Sequence, residues 1–182
     1  MKTILTLVSC LIVASGSAWA ADVDARLVRF SGEIPSVANL ISLLDSNSIA
    51  NPTKFTAALN KKNAFEYRAI TPDEFPTSFD ANGKPDATDK RDTGIIFSGD
   101  ATVSDDTCNL NIRFSLVERA NTVLYPTETG TTIAQPVFRS KEIQTAITTK
   151  TGEWFLIRLP DSEDEAVISE PQHLVLLVRV RK

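Results

Sequence analysis

The chain has 182 residues, 42% of them hydrophobic, with a formal net charge of −4, which is enough length and apolar content for one domain with a real core. A mildly acidic chain lacks the basic footprint of a nucleic-acid binder, so nucleic acid is not expected as a partner. One histidine and two cysteines exclude the usual zinc sets, because structural zinc takes about four ligands of these types.

Residues 1–20 read as a secretory signal. Lys2 supplies the positive start, residues 4–13 the apolar run, and Ala18-Trp19-Ala20 a small-x-small cleavage site. Cleavage after Ala20 leaves residues 21–182 and moves the net charge to about −5. Only Cys108 survives, so no disulfide can form within one mature chain and a buried free thiol is expected. The apolar run is too short for a bilayer crossing of about 20 residues. Leu7-Val8-Ser9-Cys10 matches a lipoprotein cleavage pattern, but the apolar run continues past it. The expected product is exported and soluble, without a transmembrane segment, and is periplasmic, at the cell surface or secreted.

Residues 25–34 are read as the first strand. Val37, Leu40, Ile41 and Leu44 then fall at i, i+3, i+4 and i+7, with Pro35 near the start, which predicts a short covering helix that ends before Asp45-Ser46-Asn47. In residues 54–59, Phe55, Ala58 and Leu59 suit a helix, whereas Phe55, Ala57 and Leu59 suit a strand that turns through residues 60–63 into residues 64–70; the hairpin is the favoured reading. Residues 71–93 are rich in Pro, Asp, Asn, Gly and Lys with no apolar period, so a long polar loop is expected. Ile95, Phe97, Ala101 and Val103 keep a period of two. Beyond the turn at Ser104-Asp105-Asp106-Thr107, Leu110, Ile112, Phe114 and Leu116 alternate with polar residues, which predicts an antiparallel hairpin. Ile143, Thr145 and Ile147 lead through Lys150-Thr151-Gly152 into residues 154–159, read as a further hairpin. Residues 154–159 and 174–178 are apolar on both faces, as in strands covered on both sides. The expected fold is mainly β, an immunoglobulin-like β-sandwich with one short helix, forming a single domain over residues 21–182.

Chemistry is sparse. His173 stands at the start of the last strand, where a surface role suits it. No phosphate-binding loop and no nucleophile motif is present. Asp80, Asp86, Asp89 and Asp92 in the polar stretch, and Asp161, Glu163, Asp164 and Glu165 further on, are oxygen donors of the kind calcium takes. The first group lacks the spacing of an EF-hand loop, and the second reads as a solvated tip. No cofactor and no metal is expected. Trp154 and Tyr67 lie in apolar strands and suit the core, whereas Phe79 and Tyr125 sit beside loop prolines and suit contact with a partner. Residues 178–182, at the end of the last strand, are read as an open edge whose basic end, with Arg179 and Arg181, steers an acidic partner.

Several segments, taken in order, resemble the C-terminal module of bacterial secretins, the outer-membrane gate proteins of type II secretion and type IV pilus systems. Residues 48–55 resemble the family's proline-containing stretch before a strand, and residues 60–67 its following turn and strand. Residues 73–79 resemble a loop of verrucomicrobial relatives. Residues 93–96, Asp105-Asp106 and residues 109–114 are similar to its paired strands around an acidic turn. Residues 135–143 with Thr151-Gly152-Glu153 are similar to the strand before its penultimate hairpin. The chain lacks the gate segment rich in Gly and Pro and the preceding periplasmic repeats, so a full gated pore is not implied. It also looks like a small exported protein of the type IV pilus cluster of mucus-dwelling Verrucomicrobia, for which an immunoglobulin-like sandwich is implied. The expectation is a non-enzymatic structural or interaction protein with partners in a pilus or secretion apparatus. The alternative is a secreted adhesin or glycan-binding module using residues 71–93, and an enzyme using Asp161 or Glu163 is a third reading.

Overall fold

The computed structural model describes residues 21–48, 52–80, 83–126, 130, 132–160 and 172–182. Among these the order is β1 (Asp22–Ser31), α1 (Val37–Asp45), β2 (Thr53–Ala58), β3 (Ala64–Phe79), β4 (Pro85–Ser104), β5 (Thr107–Pro126), β6 (Thr132–Lys150), β7 (Phe155–Arg158) and β8 (Gln172–Arg181). All pairings are antiparallel, in two four-stranded sheets with the orders β2-β1-β8-β7 and β3-β4-β5-β6. No helix among the described residues is long and apolar enough to cross a membrane, which says nothing of strands.

Period-two sequence puts one face of each sheet into a shared core. Val23, Ala25 and Leu27 of β1 and Leu174, Leu176, Val178 and Val180 of β8 meet Phe97 of β4 and Leu110, Ile112, Phe114 and Leu116 of β5. Phe55 stacks on Tyr67 at 4.8 Å and meets Phe97 edge-on at 5.3 Å, so aromatic rings tie β2 to the opposite sheet. The outer face of β1 and β8 carries a second cluster, in which Val28, Val175 and Leu177 are covered by Leu40 and Leu44 of α1. The helix therefore forms where the 3.6-residue period predicts it, and β8 is covered on both faces as expected. Ser36 caps α1, its hydroxyl accepting from the Asn39 N–H at 3.4 Å. Ser36→Ala is expected to cost about 0.5–1 kcal/mol by urea denaturation; an unchanged midpoint would show that this long bond caps nothing.

The structure corrects several expectations. The first strand is Asp22–Ser31. β2 and β3 form no hairpin, because residues 59–63 carry the chain from one sheet to the other. β6 and β7 likewise lie in different sheets, joined across Thr151 and Gly152, and β7 is a four-residue edge strand. Residues 71–93 are no loop. Residues 71–79 are the outer half of β3 and residues 85–93 the outer half of β4, paired from Thr71↔Thr93 to Phe79↔Pro85. An apolar period is missing there because neither face of this ribbon enters the core. The immunoglobulin-like connectivity is also not what the strand orders give. That fold divides strands 1, 2, 4 and 5 from 3, 6 and 7, whereas here the middle four strands form an unbroken meander.

Candidate interaction surface

The meander outgrows the sheet it faces. β4 and β5 are paired from Ser104↔Thr107 to Gly94↔Val117 and no further, while β3–β4 and β5–β6 each continue as a two-stranded ribbon. At about 3.3 Å per residue each ribbon extends roughly 30 Å past this fork. Gly94 makes the fork. Its φ of +128° is closed to ordinary side chains, and a Cβ there would lie 1.9 Å from the Ala69 carbonyl oxygen on β3.

An isolated two-stranded ribbon is marginal in water, and the two ribbons support each other. Phe75 packs on Phe138 with ring centroids 5.4 Å apart, and the Arg91 guanidinium lies 5.0 Å from the Phe138 ring. Arg119 Nη1 reaches Asp73 Oδ1 at 3.4 Å, and Gln135 Nε2 donates to the Pro76 carbonyl at 3.0 Å. Within the first ribbon, Asp73 faces Arg91 and Glu74 faces Lys90, with a Lys90–Glu74 ion pair at 2.5 Å. The hydrogen bond and the charge from Glu74 raise the Lys90 pKa. The two-ribbon arm thus presents strand edges with no neighbouring strand among the described residues.

The residues singled out for partner contact lie in two places. Phe79 is half-buried at the outer end of β3, opposite Pro85, and Tyr125 lies near the outer end of β5, 53% exposed. Tyr125, Leu124 and Val137 are the large hydrophobic residues that stand exposed among the described residues, all on the second ribbon. Arg179 and Arg181 sit at the opposite end of the sandwich, near the β4–β5 turn, where Lys182 Nζ donates to the Asp105 carbonyl. Residues 178–181 offer no open edge. β1 pairs along one side as far as Asp22↔Arg181, and on the other the Gly152 N–H donates to the Val180 carbonyl at 2.8 Å.

The two arginines are engaged internally. Asp24 Oδ2 accepts from Arg179 Nη2 at 2.8 Å and faces Arg181 Nε at 2.7 Å, while Oδ1 accepts from Thr56 Oγ1 at 2.9 Å. Burial pushes the Asp24 carboxyl pKa up, but the bonds from Arg179 and Thr56 and the charges of both arginines hold it below the ordinary value. The guanidinium groups of Arg179 and Arg26 stack on Trp154 at 4.4 and 4.7 Å. No local pattern in the sequence hints at this cluster, because Asp24 and Arg179 are 155 residues apart.

Reactive groups do not converge among the described residues. Cys108 is a buried free thiol whose pKa burial raises. A thiol reagent such as Ellman's is expected to label it only on unfolding; rapid labelling of the folded chain would contradict this placement. His173 Nδ1 lies 3.2 Å from Arg158 Nη2. No group of three His, Cys, Asp or Glu residues among the described residues could hold a metal ion. Asp80 and Asp89 instead accept from the Lys84 and Lys90 backbone N–H groups. Asp161, Glu163, Asp164 and Glu165 lie outside the described residues. A concavity of about 980 Å³ with mixed polar and apolar lining marks the outer face of the meander, and within it Asn111 donates to Asp100 at 2.8 Å.

No protein-family model matches the chain, and no curated protein matches it. Among solved structures it is similar to the InvG secretin domain beta-barrel from the Salmonella SPI-1 injectisome NC-base, at 14% identity and a TM-score of 0.41. That likeness covers 89% of this chain and spans 60% of the other chain's length.

Proposed function

We propose that this chain is a non-enzymatic interaction protein of an envelope secretion or type IV pilus apparatus, exported by residues 1–20 and working in the periplasm or at the cell surface. The observation that carries the reading is the arm, whose two ribbons leave the sandwich at Gly94 with strand edges that no neighbouring strand covers among the described residues. Such edges gain affinity by taking a strand from another chain, with side-chain pockets adding specificity. The secretin-like order of segments supports the choice of apparatus. Affinity capture with the full mature chain from envelopes of the producing organism is expected to recover a secretin or a pilus-assembly protein; recovery of neither sinks the reading. The glycan-binding alternative gains no support from a ribbon whose Phe79 is half-buried and whose charges are paired across strands.

A further inference from the structure

The free edges of the arm are not alike. The outer edge of β3 is interrupted by Pro72 and Pro76, and that of β6 by Pro136. The edge that β4 frees beyond the fork carries Asp86, Asp89, Lys90, Arg91 and Asp92, with Asp89 Oδ1 occupying the Lys90 N–H at 2.7 Å. Prolines and charges of this kind block strand addition. β5 differs: from Ala120 to Tyr125 it has neither a proline nor a charge.

Pairing geometry shows what this edge offers. Thr122 stands opposite Pro136, which has no N–H, so the pair is of the non-hydrogen-bonded kind. Thr122 and, two residues on, Leu124 therefore turn their N–H and C=O groups away from β6, toward the side that β4 has left. The Thr122 N–H meets Asn121 Oδ1 at 2.7 Å, a local cap on an edge donor. Leu124 is 64% exposed beside Tyr125. At the root of the same edge, between the sheets, lies a cavity of about 460 Å³ with Leu27, Ile95, Leu116 and Leu174 among its lining and the Arg29–Glu118 ion pair joining the sheets beside it. That is room for an aliphatic side chain. A lipid surface would cover Leu124 and Tyr125 but leave the outward N–H and C=O groups without partners, which hydrocarbon does not tolerate. Another strand satisfies both.

We propose that the freed edge of β5 takes an uncharged, extended polypeptide segment from a partner protein, paired along Thr122 and Leu124, with an aliphatic side chain seated in the cavity at the fork. This deepens the reading of the chain as an interaction protein and rests on it. The Asn121 side chain holds the edge closed until the incoming carbonyl displaces it.

The test selects phage-displayed random peptides on the full mature chain and titrates a synthetic peptide of the recovered consensus. The expected consensus alternates aliphatic with small polar residues, and its binding slows amide exchange at Thr122 and Leu124. Thr122→Pro removes an edge donor that β6 does not use and weakens binding about tenfold or more. Asn121→Ala removes the cap and tightens binding about threefold, a gain that a merely structural role would not produce. Unchanged amide protection in the sandwich shows that both variants are folded. An empty selection, protection elsewhere, or full binding by Thr122→Pro overturns the proposal. So does self-association lost in Thr122→Pro, which assigns the edge to a second copy. Binding to phosphatidylethanolamine–phosphatidylglycerol vesicles that is lost in Leu124→Ser and kept in Thr122→Pro assigns the surface to lipid and also overturns it. If envelope capture recovers the apparatus equally well with Thr122→Pro, this inference fails while the broader reading stands. Peptide binding at the β5 edge without such capture supports the inference and sinks the choice of apparatus.

Discussion

Gly94→Val is expected to destabilise the chain by more than about 3 kcal/mol, the largest effect of any single change at the fork. Two costs combine. A β-branched residue cannot hold the φ of +128°, and its Cβ would stand 1.9 Å from a backbone oxygen of β3, which no side-chain rotation relieves. The strands must separate where the arm begins. Urea denaturation should show a much lower midpoint, with faster exchange at Ala69 and Ile70. Gly94→Ala should lie between the two, because it brings the same Cβ without the branch. A Gly94→Val chain as stable as the parent would mean that β4 passes the fork in another conformation.

Asp24→Asn is expected to cost about 2 kcal/mol near neutral pH. The amide keeps the size but withdraws the charge that Arg179 and Arg181 share, and the Arg179 Nε is already buried with no acceptor among the described residues. Both arginines are partly exposed, so solvent recovers some of the loss. The pH dependence follows from the lowered carboxyl pKa. A carboxylate whose folded value lies below its unfolded one contributes stability that is complete above about pH 4 and disappears as pH falls through the folded value. Thermal unfolding should therefore separate parent and variant by several degrees at pH 7 and by progressively less on acidification below about pH 4. A gap that stays constant into acid would show that the charge of Asp24 is not what the site uses.

The legible part of the fold is the part that buries one face. Leu110, Ile112, Phe114 and Leu116 alternate with Asn109, Asn111, Arg113 and Ser115 because only one side of β5 enters the core, and the helix is equally plain from Leu40 and Leu44. The sheet changes are not legible. Residues 60–63 and 150–152 have the turn chemistry of hairpins, and Phe55 and Phe65 would be buried whether their strands lay side by side or face to face. The arm is hidden for a different reason, since a ribbon with both faces in water has no apolar period. Its register is nonetheless written in the charges: Asp73-Glu74 and Lys90-Arg91 complement each other only when residues 71–79 pair antiparallel with residues 85–93. Of the candidate surface, Tyr125 is legible from its place beside Pro126, but Gly94 and the freed β5 edge are not, because nothing local says where β4 and β5 part.

Amide hydrogen exchange of the full mature chain, free and in complex with the apparatus component captured from envelopes, tests the central claim most directly. The account predicts rapid exchange at Thr122 and Leu124 in the free chain, strong protection at Ile112 and Phe114, and new protection in the complex confined to the arm beyond Gly94 and Val117. New protection around Arg179 and Arg181 instead, with the arm still exchanging freely, would contradict it.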